Sequence, residues 1–246
     1  MKKIILGLSA LTMATTTLAE NKYGVGLGLG VSDSIYKGAD DRSYPMPLLD
    51  INYGNLYIKG ITVGYNLYQN DALTTSIFVD PLAGFAVDGA DLARGYDNID
   101  DRKFQTMAGL RVDYKTGLYD IRTAASAQFG EHGAEGKISA FRIYSVNDKL
   151  TLIPAIHMKG YTDDYTNYYF GVTSEEKNKN RNIKEEYTAD AAYSFGATLT
   201  VDYKLNDKIA LMAFTGFEKF SSEVTDSPIV EDNTLFLVGA GAKYFF

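Results

Sequence analysis

The chain has 246 residues with 24 basic and 31 acidic side chains, a formal charge of −7, and neither cysteine nor tryptophan. That acidity excludes a nucleic-acid binder, which needs a basic face to neutralise phosphates, and the missing cysteine excludes a disulfide framework and thiol chemistry. The 19 tyrosines and 13 phenylalanines exceed ordinary usage, a surplus that suits the aromatic girdles of a membrane barrel.

At the start of the chain, Lys2 and Lys3 precede an apolar stretch from Ile4 to Met13 and the small-residue exit Thr17-Leu18-Ala19. This pattern predicts a secretory signal peptide over residues 1–19, cleaved after Ala19. Its apolar core is about half the roughly 20 residues that a membrane-spanning helix needs. Loss of two lysines takes the basic count from 24 to 22 and the charge from −7 to about −9. Residues 20–246 are then one domain with no further stretch apolar enough to be a spanning helix.

From Tyr23 the side chains alternate with the period of a strand. Tyr23, Val25, Leu27, Leu29 and Val31 share one face, opposite Gly24, Gly26, Gly28 and Gly30, as period-two geometry requires. The glycines do not meet the G-x-G-x-x-G spacing, because Val31 stands where the third glycine belongs, so they fit the inner face of a curved strand better than a phosphate loop. Leu56–Leu67 and Leu73–Val79 are strand-like but less regular. Phe104, Ala108, Leu110, Val112 and Tyr114 oppose Gln105, Gly109, Arg111 and Asp113; Tyr119 to Phe129 repeats the pattern with Asp120 and Arg122 on the polar face. Lys137–Val146 follows, then Leu150–Lys159 with His157 and Lys159 on the polar side. Tyr193–Lys204 carries Asp202 and Lys204 inward, Ile209–Phe220 is again strand-like, and Leu235–Phe246 ends the chain with Lys243 inward and Tyr244 and Phe246 outward.

Short polar connections at Gln69–Asp71, Lys115–Gly117, Asn147–Lys149 and Asn206–Lys208 have turn chemistry. They alternate with longer connections at 32–55, 80–101, 130–136, 160–189 and 221–233. Short turns on one side and long loops on the other are the pattern of outer-membrane barrels. Four turns and five loops predict an all-β, transmembrane antiparallel β-barrel of ten strands, or twelve if Met46–Tyr53 spans with its own partner. Lipid offers no hydrogen-bond partners, so such a sheet must close. In these registers Arg111, Asp113, Asp120, Arg122, Asp202, Lys204 and Lys243, with Glu218, point into the lumen. Interleaved opposite charges there point to a plug of ion pairs rather than a conducting pore.

The terminal Tyr244-x-Phe246 resembles the closing strand of bacterial outer-membrane barrels, in which it is the mark read by the barrel-assembly machinery. Three loop segments narrow the resemblance. Tyr36-Lys37-Gly38-Ala39-Asp40 with Tyr44-Pro45-Met46-Pro47 and Asp50–Tyr53, then Tyr168-Tyr169-Phe170-Gly171-Val172, then Ser227-Pro228-Ile229-Val230 are similar in order and spacing to segments of the MipA/OmpV family. The resemblance implies residence in the outer membrane among lipid and lipopolysaccharide. It also implies a scaffold role linking a murein-degrading transglycosylase to a murein synthase in cell-wall synthesis and turnover. Other members imply an alternative, a surface adhesin or narrow channel working through the long loops. On either reading Tyr168, Tyr169 and Phe170 form a candidate recognition motif, with packing at the rim as the structural alternative. Residues 175–186 read as a solvated loop tip.

The family carries no catalytic residues over to this chain. His132 and His157 are the two histidines; His157 with Asp163 or Asp164 is the one pairing that imitates an acid–base couple, and no serine stands in an activating context. No cofactor and no metal site is expected, since there is neither cysteine nor an H-x-x-x-H spacing.

Overall fold

The computed structural model describes residues 22–246; the expected signal peptide, residues 1–19, lies outside the described residues. Fourteen strand segments make one antiparallel sheet: β1 (Lys22–Ser32), β2 (Arg42–Pro47), β3 (Asp50–Tyr53), β4 (Leu56–Lys59), β5 (Thr62–Gln69), β6 (Leu73–Ala83), β7 (Gln105–Lys115), β8 (Ile121–Gly130), β9 (Gly133–Arg142), β10 (Tyr144–Ser145), β11 (Leu150–Tyr161), β12 (Ala192–Lys204), β13 (Ile209–Phe220) and β14 (Thr234–Phe245). β1 pairs with β14, and β9 pairs with both β8 and β11, so the sheet closes on itself. β2 and β3 lie on β1 in one continuous register, Leu27 opposite Pro47 and Lys22 opposite Asn52. β9 and β10 do the same on β11. The wall therefore has twelve strands, not ten.

The two additional strands come from segments whose local signal is ambiguous. Asp50–Tyr53 pairs with β1 on one side and with β4 on the other, so it belongs to the wall rather than to a loop. Leu56–Leu67 is not one strand but a hairpin, because Gly60 adopts φ 60° between Lys59 and Thr62, which face each other across the turn. A positive φ at the first position of a two-residue turn is what glycine supplies there. A third difference lies at 130–136: Gly130 faces Gly133 directly, leaving Glu131 and His132 as a tight turn where a longer loop was expected.

The outer wall is apolar along its length, with Leu27 67% exposed, Phe129 64% and Leu110 58%. Exposed aliphatic and aromatic side chains of this density are stable only against hydrocarbon. Seam geometry explains one of the glycines. A Cβ on Gly26 would meet the backbone carbonyl oxygen of Ala242 and come within 2.8 Å of Lys243 Cα, so the β1–β14 closure needs a residue without a side chain there.

Both described termini and the short turns at 54–55, 70–72, 116–120, 146–149 and 205–208 occupy one end of the barrel; the longer connections and the Glu131–His132 turn occupy the other. At the loop end the connections fold together. α1 (Asp163–Phe170) is capped by Thr162, and α2 (Ser174–Lys179) begins with a capping box between Thr173 and Glu176; a third short helix, α3, covers Ser222–Thr225. The isolated bridge Tyr36–Val230 ties the first loop to the last, while Val87–Arg102 and Val172–Tyr187 each close a long loop on itself. The main buried cluster lies here, formed by Ile35, Val87, Tyr165, Tyr169, Phe170, Ile229 and their neighbours. The loops form a dome, and its apolar core is what holds it over the barrel mouth.

Candidate functional site

Phe85 is the centre of the dome. Five rings surround it: Phe170 and Phe220 at 5.4 Å between centroids, Tyr161 and Tyr169 at 5.9 Å, and Tyr165 at 6.4 Å. Most of these pairs are edge-on, the arrangement aromatic quadrupoles favour. Tyr36 donates its hydroxyl to the carbonyl of Phe85 at 2.7 Å and to that of Tyr169 at 3.1 Å, and Tyr169 donates to the carbonyl of Lys103 at 3.0 Å. Thus Tyr169 and Phe170, of the expected recognition motif, are wholly buried packing residues and have no surface to offer a ligand. Tyr168 is partly buried and stacks on His132 at 3.5 Å. An aromatic run in a long loop signals a core as readily as a recognition surface, and here the loops supply enough apolar area to bury it.

A buried ion pair locks the dome. Arg102 Nη2 donates to Glu176 Oε1 at 2.8 Å and to the carbonyl of Gly171 at 3.0 Å. The Glu176 carboxylate also accepts the backbone N–H groups of Asp100 and Thr173. Burial opposes its ionisation, but those N–H donors and the guanidinium outweigh it, and the carboxyl titrates below its ordinary value of 4.5. Residues 175–186 are therefore not a wholly solvated tip, because Glu176 is 1% exposed.

Beneath the dome, the strand registers bring charges together in the lumen. Glu218 on β13 accepts from Lys159 at 2.9 Å, from Tyr161 at 2.8 Å and from Ser194 at 2.6 Å. Gly196 stands between His157 and Glu218 in the ladder. With no side chain there, the imidazole Nε2 comes to 3.8 Å from Glu218 Oε2, too far for a hydrogen bond. Glu135 accepts from Gln128 at 3.2 Å, and Lys137 lines the same space. The Ser194 hydroxyl is engaged by the Glu218 carboxylate, with the Tyr161 hydroxyl 3.0 Å away. Asp163 and Asp164 lie in the first turn of α1 and are exposed.

The residues expected in the lumen divide into several groups. Arg111 and Asp113, successive inward residues of β7, form a bidentate pair at 2.7 Å. Asp202 faces Lys243 at 4.0 Å. Lys204 lines the cavity near the turn end, while Arg122 is half-buried on β8. Asp120 departs from the expectation: it is an exposed turn residue with φ 57°, next to Tyr119 at φ 51°. Glu218, His157 and Lys159 are buried to the same degree as Asp113. Alternation alone gives the inward facing of His157 and Lys159, but only the register between strands shows that one carboxylate gathers them.

A cavity of about 710 Å³ remains below the dome. It extends from Phe85 and Tyr165 down to Asn206 and Asp207, which lie in a turn at the opposite end. One side is apolar, where Tyr44, Met46 and Leu48 pack with Met212 and Phe214; the other side carries Lys137, Lys159, Glu135 and Glu218. At the turn end, Tyr244 and Phe246 face outward with their rings edge-on at 5.1 Å. Among the described residues no cluster of histidine and carboxylates has metal-ligand geometry.

Residues 25–246 match the family model described as MltA-interacting protein MipA. A 24 kDa outer membrane protein of Pasteurella multocida is 31% identical over 233 residues, 91% of this chain and 90% of that one. The MltA-interacting protein of Escherichia coli is 28% identical over 250 residues, covering 100% of this chain and 99% of its own length. Outer membrane protein OmpV of Vibrio cholerae is 25% identical over the full length of both chains.

Proposed function

Because this chain belongs to the MipA family of outer-membrane proteins, we propose that it works by contact rather than catalysis, as an envelope interaction protein whose partner is a murein-degrading transglycosylase. A murein synthase is the second partner in this reading, and the barrel is the membrane anchor that holds the pair near the cell wall. The surrounding lipid and lipopolysaccharide solvate the wall, and Tyr244 with Phe246 is the contact offered to the barrel-assembly machinery. The relative named for an interaction with MltA, matched over its whole length, supports the partner.

One observation carries the reading: the cavity is covered at the loop end by the Phe85 dome and reaches Asn206 and Asp207 at the turn end. Outer-membrane barrels keep their short turns in the periplasm, so the accessible side of this lumen is the murein side. The turns themselves are short, and a partner must therefore engage the rim as a whole, including Lys115, Lys149 and Lys208, rather than one long loop.

Photo-crosslinking residues introduced in place of Lys115, Lys149 or Lys208 test this in the native envelope. Covalent recovery of a murein transglycosylase from these turn positions, and not from Asn178 or Asp232 in the dome, is the expected result. Recovery from the dome positions alone would favour the alternative surface role. A narrow channel is the other alternative, and discrete conductance steps from the purified barrel in a planar bilayer would favour it. The Glu218 cluster and the dome make such steps unexpected.

A further inference from the structure

The barrel wall has an incomplete strand position. The β4–β5 hairpin turns at Gly60 and Ile61, partway up the wall, with Thr62 at the level just above Val79. Above this turn, β2 runs on from Pro47 to Arg42 and β6 runs on from Asp80 to Ala83. Among the described residues β2 has no strand partner other than β1, and this end of β6 has none other than β7. At its own level the hairpin fills two strand positions and sets β3 three spacings, about 14 Å, from β6; above Gly60 and Ile61 no strand fills them among the described residues.

Backbone chemistry on both sides fits an edge built to stay unpaired. Leu48 N–H donates to the carbonyl of Gly26 on β1, and the carbonyl of Leu49 accepts from Gly60 on the other side. Even-numbered residues of this strand therefore turn their N–H toward β1, and odd-numbered residues toward the open side. Pro45 and Pro47 occupy odd positions, so the free edge lacks the two donors that would otherwise face hydrocarbon. Across the gap, Leu82 N–H is taken by Asp80 Oδ1 at 3.3 Å beside Pro81. The cavity lining includes Pro47, Leu49, Gly60, Ile61, Ala83 and Gly84, residues that frame this gap, and its apolar side of Tyr44, Met46, Leu48, Met212 and Phe214 lies nearest β2.

We infer that the gap is a lateral mouth through which the cavity takes a long acyl chain from the outer leaflet. The mouth lies in the half of the wall toward the loop end, which faces the outer leaflet of the membrane. Hydrocarbon outside, an apolar floor inside and a rim from which proline removes two backbone donors suit an acyl chain, whereas a polar solute would have to leave water to enter from the bilayer. The inference stands apart from the murein-side role and survives if that role fails.

Residue-resolved photolabelling in reconstituted vesicles tests it, with two probes: a phospholipid carrying a diazirine in one acyl chain, and the corresponding free fatty acid. Adducts on Met46, Leu48, Met212 or Phe214, alongside those on the outward Leu27 and Leu29, are the expected result. Interior adducts from the phospholipid identify the bilayer as the source; interior adducts from the free acid alone identify a detached chain, and the site stands. Leu49→Trp, or Ile61→Trp if the first variant folds poorly, narrows the mouth and should abolish interior adducts while outward ones persist. Labelling confined to outward residues with both probes would overturn the site. Interior labelling undiminished in both folded variants would overturn the lateral route.

Discussion

Glu218→Ala is expected to destabilise the folded barrel by about 3–5 kcal/mol, the cost of removing one partner from a buried charge pair. The carboxylate is the shared acceptor of Lys159, Tyr161 and Ser194. Its loss leaves the Lys159 ammonium, 7% exposed, without its nearest counter-charge. Glu218→Gln with Lys159→Met removes both charges and keeps an acceptor for the two hydroxyls, so the double variant should be markedly more stable than Glu218→Ala. Urea titration of the folded and unfolded gel bands, after reconstitution, checks both. Equal stability of Glu218→Ala and the parent would mean that the cluster is solvated and contributes nothing to closure.

Arg102→Ala should open the dome at a similar cost of about 3–5 kcal/mol for the region it locks. The guanidinium ties Glu176 to the carbonyls of Gly171 and Asp100, joining the 84–104 connection to the α1–α2 connection. Because these contacts lie outside the wall, the variant should keep its barrel while its loops become open to protease cleavage. Acid should do the same to the unaltered protein. The Glu176 carboxyl titrates below 4.5 in the folded dome, so its stabilising contribution is fully present above that value. It is lost as pH falls from 4.5 through the depressed folded value. Limited proteolysis across that range checks the sign: cleavage near residues 171–186 should rise as pH drops, and Arg102→Ala should show it already at neutral pH.

Much of the wall is legible in the sequence, because a strand between lipid and lumen must alternate. Tyr23–Val31, Leu150–Lys159 and Tyr193–Lys204 declare their faces residue by residue, and those faces are the observed ones. The number of strands was not legible from alternation, since Leu56–Leu67 contains a turn that only Gly60 betrays and Asp50–Tyr53 is four residues long. Loops follow no period, so the aromatic segment Tyr168–Phe170 is open in sequence to recognition or to packing; Tyr169 and Phe170 prove to be the dome's core. The Glu218 cluster sits between these cases. Inward facing follows from alternation, but convergence follows from register, and register depends on turns whose lengths were not fixed in advance. Arg111 with Asp113 was recoverable because both lie on one strand two residues apart. Asp120 falls outside the lumen because the turn continues to residue 120, three residues past the Gly117 at which its polar composition ends, and β8 begins only at Ile121.

The murein-side role requires a lumen that is shut toward the cell surface and reachable from the periplasm. The parent chain has no cysteine, so a single Thr200→Cys reports on the cavity it lines and a single Asn178→Cys on the exposed face of α2. With a charged maleimide too large for general porins, intact cells should show modification at position 178 and none at 200. Permeabilising the outer membrane should then make position 200 reactive. Modification of position 200 in intact cells, at the rate seen for position 178, would contradict the closed dome and with it the murein-side reading.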